Sequence, residues 1–422
     1  MMRTHAAPFT ACGWHCNKEM PLVATGSRDH KRPVPRLWRV FLFLSIFLSI
    51  LGSAHYYVWA RLIRDPALPG AWYPLLTAAF VVLFVSLPLG MILGRRAPLW
   101  ARRFLLQPAF VWLGAMFLLF VSVSATDLVQ VLLSRLVFSG AGSEDPIHMS
   151  RLYGLAAALL GAGSTGLALL EGYRFRVRRV EVPLERLPES MSGFRIVQLS
   201  DVHIGPSLGA EFARRVVETC NALTPDLVVI TGDLVDAPVS AIGADVAEFG
   251  KLESKHGTHF VTGNHEYYAG GEAWCSALRA IGVRVLRNER VAIGENGVSF
   301  DLAGIDDFHA FGEGHGADLG KALAGRDPNR ELVLLAHQPR AAFEAARHGV
   351  GLQLSGHTHG GQIWPFSWLV KLQQPIVAGL ARIQGTWVYV SRGTGYWGPP
   401  MRLGAPAEVT EITLRRAATA RA

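Results

Sequence analysis

Seven residues in the second half of this 422-residue chain have the types and places to hold metal ions: Asp201, His203, Asp233, Asn264, His337, His357 and His359. Asp201 and His203 are two apart, so in extended chain they face the same way, and so do His357 and His359. Oxygen and imidazole donors together suit Mn, Fe, Zn, Co or Ni better than Ca or an all-sulfur metal. Seven donors are too many for one tetrahedral ion and right for two. Two ions about 3.5–4 Å apart hold a hydroxide between them and clamp a phosphate. A carboxylate has two oxygens, which makes Asp233 the natural bridge. Two divalent ions against two aspartates leave about two net positive charges, which attract a phosphoryl group.

Short apolar runs must position these groups. Residues 195–199 read as a strand that leads into Asp201 and His203, and residues 227–230 lead into Gly232 and Asp233. Phe260 and Val261 lead into Gly263-Asn-His-Glu266, residues 331–335 into His337, and residues 352–354 into Gly356-His-Thr-His359. Residues 209–222 read as a helix, and residues 386–390 and 408–414 as closing strands. The alternation argues for an α/β domain. Each polar group follows the C-terminal end of a buried strand, where sites in such sheets gather. Gly232, Gly263 and Gly356 are expected to free the backbone for sharp turns beside a ligand.

With Gly232-Asp-x-x-Asp236 added, these five motifs stand in the order of the calcineurin-like metallophosphoesterase superfamily, which the chain resembles over about residues 190–415. The flanking Gly356-His-Thr-His-Gly-Gly-Gln362, Ser391-Arg-Gly-Thr-Gly395 and Pro400-Met-Arg402 look like its membrane-anchored bacterial branch. The resemblance implies a β-sandwich flanked by helices, and two divalent transition-metal ions, with Mn, Zn or Fe favoured. It implies that Asp201, His203 and His359 bind the first metal, that Asp233 bridges, and that Asn264, His337 and His357 bind the second. His265 would protonate the leaving oxygen or orient the phosphate, and Asp236 would hold the His265 imidazole. Arg392 and Arg402, near the C-terminal signature, are expected to bind a second phosphate. Asp306 and Asp307 are read as loop salt-bridge or capping residues before cleft residues, and His309, His315 and His348 as solvated.

Half of the chain is hydrophobic and the mean hydropathy is +0.25, with the apolar residues concentrated before about residue 170. Residues 1–36 read as a mobile basic tail without a signal peptide's apolar core. Four apolar stretches follow, at about residues 37–59, 71–94, 104–125 and 152–170. Each is near the roughly 20 residues that cross about 30 Å of hydrocarbon. The stretch 127–138, interrupted by Asp127, Gln130 and Arg135, is placed at the interface. The glycines Gly161, Gly163 and Gly166 mimic a dinucleotide fingerprint, but inside a span they serve close helix packing. The expected organisation is a tail (1–36), a transmembrane region of about four helices (37–171) and a metallophosphoesterase domain (172–422).

Net charge is +8. The arginines cluster where apolar stretches end, as a membrane protein needs, which argues against nucleic acid. Arg28 to Arg39, Arg95 to Arg103 and Arg174 to Arg179 fall on one side if there are four spans. That puts the soluble domain in the cytoplasm, beneath the inner membrane. Cys12, Cys16, Cys220 and Cys275 match no zinc pattern or disulfide scaffold.

Trp364, Phe366 and Trp368 follow the last metal motif directly and either touch the bilayer and acyl chains or pack on the core. With the membrane region added, the expected substrate is lipid-bearing. Enzymes of the branch it resembles cleave UDP-2,3-diacylglucosamine in lipid A synthesis, the leading specific expectation. A broad-specificity phosphodiesterase or phosphatase is the alternative. A membrane sensor with a phosphoesterase output ranks lower, since no mid-span charge marks a transport path. Composition leaves the oligomeric state open.

Overall fold

The computed structural model describes residues 37–96, 99–136, 145–310 and 316–417; the expected tail, with Cys12 and Cys16, and His315 lie outside them. Four long helices come first: α1 (Leu37–Trp59), α2 (Trp72–Arg96), α3 (Leu99–Leu136) and α4 (Pro146–Gly172). All four are long and apolar enough to cross a membrane. They carry exposed Phe, Leu, Ile and Val on their outer faces, where a helix in water would keep a polar stripe. Gly161 of α4 lies against Leu119 of α3, as close packing requires, and Gly154 against the Arg61 carbonyl, whereas Gly163 and Gly166 face open space and do not serve a helix contact among the described residues.

The stretch after residue 125, which reads as interrupted in the sequence, continues the third helix: α3 runs unbroken to Leu136. Its acid is neutralised within the bundle. The Tyr57 hydroxyl donates to Asp127 Oδ2 at 2.6 Å and Arg61 Nε donates to the same oxygen at 2.9 Å. With the charge paired there is no reason for the helix to end.

The rest of the chain folds into two six-stranded sheets. The first has β1 (Phe175–Leu184), β2 (Arg195–Leu199), β3 (Leu227–Ile230), β4 (Thr258–Phe260), β5 (Arg284–Val285) and β12 (Ala407–Arg416), in the order β1-β12-β2-β3-β4-β5. The second has β6 (Glu289–Glu295), β7 (Val298–Gly304), β8 (Leu332–Leu335), β9 (Leu352–Ser355), β10 (Gly379–Ile383) and β11 (Thr386–Val390), in the order β10-β11-β9-β8-β7-β6. The two-residue period of a strand sorts the side chains. Leu227, Val229, Val333 and Leu335 join the core between the sheets. Val228 and Ile230 face α5 (Ala210–Ala222) and its neighbours, while Leu332 and Leu334 face the helix at Leu319–Leu323 on the other side. Strands buried on both faces explain the near-continuous apolar runs of the sequence.

β1 is an element that the sequence reading missed. Its Arg176, Arg178 and Arg179 read as charges ending a membrane span. They lie on an edge strand that pairs only with β12, and Arg179 holds Glu411 across that pair at 2.7 Å.

The helices and the sheets meet at the loop before β12. Leu118 of α3 and Ala168 of α4 share a buried cluster with Ile363 and Met401. A Cβ on Gly114 would collide with Met401, and one on Gly172 with the Pro400 carbonyl. The Arg402 amide donates to the Ala168 carbonyl at 2.9 Å.

Candidate metal centre

Both sheets feed one rim. Asp201 and His203 follow β2, Asp233 follows β3, and Asn264 opens the short helix Asn264–Ala269 just beyond β4. His337 follows β8, and His357 and His359 follow β9. The side chains gather into three sets: Asp201, His203 and His359; Asp233, His337 and His357; and His203, Asp236 and His265. The first two hold six of the seven expected ligands, Asn264 falling in none of the sets and Asp233 in one, and the third joins Asp236 and His265 to His203.

The backbone is unusual where these residues sit. Asp201, His203, Asp233, His357 and His359 all have positive φ, between 51° and 72°. Such left-handed backbone costs a non-glycine residue ~1–3 kcal/mol and persists only where the surroundings enforce it. Here the enforcement is visible. The His357 amide donates to both Asp201 oxygens, at 2.9 and 3.0 Å, tying the two sheets together. Gly263 and Gly356 serve close approach, not the sharp turns expected of them. A Cβ on Gly356 would run into Ser200 Oγ and Asp201 Oδ2, and one on Gly263 into Asp233 Oδ1.

The donor atoms converge with their lone pairs inward. His203 Nδ1 lies 2.7 Å from Asp236 Oδ1, and His337 Nδ1 donates to the Thr231 carbonyl at 2.8 Å. Both Nε2 atoms therefore face the rim, because the outer partner fixes the tautomer. His203 Nε2 is 3.1 Å from His359 Nε2. His337 Nε2 is 3.1 Å from Asp233 Oδ2 and 3.2 Å from His357 Nδ1. Asn264 Oδ1 is buried with no hydrogen-bond partner among the described residues. An orphan acceptor beside facing imidazole nitrogens is a set of groups that needs cations to complete it, and its oxygen and nitrogen chemistry fits divalent transition metals.

Electrostatics point the same way. Burial opposes charge on His203, but Asp236, Asp233 and Asp201 outweigh it and raise its pKa to about 9. Asp236, despite burial, is held at about 2 by His203 and His265. His337 is raised and Asp233 lowered by their mutual attraction, again against burial. His357 falls to about 4, through burial and the charge of His337. His359 is lowered by burial, His203 and Arg402. Divalent cations would compete with protons for these imidazoles.

Asp236 carries more than was expected of it. Its Oδ1 lies 2.7 Å from His265 Nδ1, as the resemblance implied, and 2.7 Å from His203 Nδ1 as well. Glu266 went unassigned in the sequence. It is fully buried and accepts from the amides of Gly263, Asp233 and Leu234 at 2.6, 3.0 and 2.8 Å. Its place three residues after the helix cap was the signal that reasoning passed over. Burial and the charge of Asp233 push its carboxyl up to about 7.

Arg402 and Arg392, expected to bind a second phosphate, differ in access: Arg402 is enclosed by protein and Arg392 stays partly exposed. Arg402 is fully buried, and its guanidinium donates to the carbonyls of Gly395, His359 and Ala405. Its Nη2 also lies 3.3 Å from His359 Nδ1. Arg392 is held by Glu408 at 2.9 Å. Asp306 is bound by Arg287 at 2.8 Å, the salt bridge the sequence suggested. Asp307 is buried and bonds His309 and Gln338, so His309 is oriented rather than merely solvated. His348 stays exposed, against the Glu344 carbonyl.

Two facing sheets with a rim of this composition define a metal-dependent phosphoester hydrolase. Residues 194–361 match the family model described as calcineurin-like phosphoesterase. A transmembrane protein with metallophosphoesterase domain from Bos taurus is 39% identical over 413 residues, covering 90% of this chain and 91% of that protein. An uncharacterized metallophosphoesterase of Campylobacter jejuni is 31% identical over 384 residues, covering 89% of this chain and 99% of that one. Among solved structures, a dimetal phosphatase from Danio rerio is similar at a TM-score of 0.33 and 14% identity, covering 53% of this chain and 99% of that one. The chain belongs to the calcineurin-like metallophosphoesterase superfamily. Both full-length relatives align through the helices as well as the sheets, in an animal and in a bacterium.

Proposed function

We propose that this chain is a membrane-embedded two-metal hydrolase of phosphodiester or pyrophosphate bonds in lipid-bearing substrates. Asp201, His203 and His359 hold one cation, Asn264, His337 and His357 the other, and Asp233 serves both. When bound, two divalent cations supply the positive charge that polarises a phosphoryl group and lowers the pKa of the attacking water. The net reaction adds water across a P–O bond: the entering oxygen joins phosphorus and the ester oxygen leaves. His265 gives that oxygen its proton, and Asp236, on the other ring nitrogen, keeps the imidazole aimed.

The observation that carries the lipid half of this reading is Arg402. Its amide bonds the Ala168 carbonyl of α4, while its side chain bonds the carbonyl of His359. One residue thus links an apolar helix to a metal-site histidine, which brings the chemistry to the bilayer's edge. UDP-2,3-diacylglucosamine is the specific substrate we favour, with the catalytic domain on the cytoplasmic side of the inner membrane.

The test offers the full-length protein, in lipid nanodiscs, three substrates: UDP-2,3-diacylglucosamine, a glycerophospholipid and a water-soluble diester. The expected result is turnover of a lipid-bearing substrate at least about tenfold above the soluble one, the scale of one kcal/mol or so of extra binding. Equal rates on all three would leave a broad-specificity phosphodiesterase. Protease accessibility in sealed vesicles fixes the side: cleavage in the sheets from the cytoplasmic face alone is expected, and cleavage from the opposite face alone would overturn the orientation.

A further inference from the structure

The segment after the last metal motif is built as a surface. Ile363 is buried against Leu118, Ala168 and Met401. From the next residue the chain turns outward. Trp364, Phe366, Trp368, Leu369 and Leu372 are all exposed, Leu372 at 81%, and the short helix Ser367–Val370 buries no residue at all. A contiguous apolar patch of this kind on a folded domain marks an interaction site.

Its neighbours say what it meets. The Phe366 ring stands edge-on to Phe117 of α3 at 6.2 Å, and Phe117 lies within the apolar stretch Phe104–Arg135. The patch therefore continues the outer surface of a helix whose length and composition suit a bilayer. Its chemistry is that of the lipid–water boundary: tryptophan rings with an N–H at one edge, and exposed Lys371 beside exposed Leu372. On the other side the patch reaches the metal rim. Gln362 clamps the Trp397 backbone, donating to its carbonyl at 2.9 Å and accepting from its amide at 3.0 Å. Trp397 is 57% exposed, and its ring lies edge-on to His265 at 6.0 Å.

We infer that Trp364 to Leu372 seat in the headgroup–acyl boundary of the bilayer around α3, and that Trp397 extends this seat to the metal rim. An amphiphile then reaches His265 with its phosphoester in the rim and its chains still among the lipids. The seating rests on the membrane reading of the helices, and the route for the amphiphile rests on the lipid-substrate reading above.

The experiment uses the full-length chain in nanodiscs of phosphatidylcholine and phosphatidylglycerol. Cys12 and Cys16 are replaced by Ser, and Cys220 and Cys275 are buried. A nitroxide is attached at Leu372→Cys or, as a reference, at exposed Lys255→Cys, which precedes β4 and so lies at the sheet end away from the rim. Spin-label accessibility to oxygen and to a water-soluble nickel chelate is compared. The expected oxygen-to-nickel ratio at 372 is several-fold above that at 255. Equal ratios would overturn the seating. So would protection from both reagents that persists in detergent, which would assign the patch to a second copy or another protein.

A second measurement separates the two readings. Trp368→Ser with Leu372→Ser is expected to lower the ratio of lipid-bearing to soluble diester turnover by about tenfold, as membrane seating scales with buried apolar area. If the label sits in lipid but wild type shows no preference for lipid-bearing substrates, the seating stands and the substrate reading fails. If the preference holds but the label faces water, the seating alone fails.

Discussion

The helix bundle and the metal rim treat polar groups in different ways. In the bundle, Asp127 is satisfied by Tyr57 and Arg61, and Trp112 Nε1 donates to His55 at 3.0 Å. Each of these groups has a protein partner, although Thr165 Oγ1 of α4 is buried without one among the described residues. At the rim, imidazole nitrogens face one another and Asn264 Oδ1 has no partner among the described residues. The difference separates polar residues that let a helix continue through an apolar setting from polar residues that wait for a ligand. It also explains where strain is tolerated. The rim holds five positive-φ aspartate and histidine residues, while in the helical region only Ala67, in a turn, has this backbone among the described non-glycine residues.

The strongest way to break this comparison is Asp233→Asn. The change keeps the shape but removes a charge that His337 and the cations need. Hydrolysis is expected to fall by about three orders of magnitude, at the upper end for losing one preorganised electrostatic group. An unchanged rate would mean that the rim groups are structural, like those of the bundle.

Asp236→Asn comes next. Because Asp236 supports both His203 and His265, its loss is expected to weaken metal binding by about 10–100-fold, the range for partners of metal ligands. It should also flatten the pH dependence of kcat through loss of the oriented acid. His265→Ala is expected to lower kcat with metal content unchanged. If Asp236→Asn spares metal affinity, its bond to His203 carries no function.

Asp127→Asn sharpens the other side. It is expected to leave kcat and metal content within about twofold while lowering the thermal midpoint, because a partly exposed pair contributes little and only locally. A large loss of activity would show that the bundle's polar pair feeds the rim.

The smallest effect concerns a buried histidine outside both regions. Burial, then the charge of Arg284, depresses His259 to about 4 from its ordinary 6.5. The unfolded chain therefore binds the proton first as pH falls. Stability from this residue is complete above pH 6.5 and is lost progressively between 6.5 and 4. His259→Phe in the metal-loaded protein should shrink the drop in thermal midpoint between pH 7 and pH 5. An identical drop in both proteins would remove the assignment.

Much of the rim was legible in the sequence because fully buried strands end abruptly in Asp, His or Asn. Leu227 to Ile230 before Asp233 and Leu352 to Leu354 before His357 are such places, and sheet geometry brings those ends together. The apolar helices were legible from length and composition. What the sequence hid depends on pairing between distant residues. Asp127 read as a helix end because its partners lie 66 and 70 positions away. The arginines of β1 read as membrane-end charges because a strand's partner is invisible in a local window. Arg402 read as a phosphate ligand because motif proximity does not reveal burial. The double role of Asp236 arises only where β2 and β4 bring His203 and His265 to the carboxylate that follows β3.

The central claim is that the rim is completed by two cations, and metal content tests it most directly. The full-length protein is purified, stripped with a chelator, reloaded and assayed for bound divalent ions and hydrolysis together. The account expects about two ions per chain, activity lost on stripping and restored with the second ion. Full hydrolysis by the stripped protein, or saturation at one ion with full activity, would contradict it.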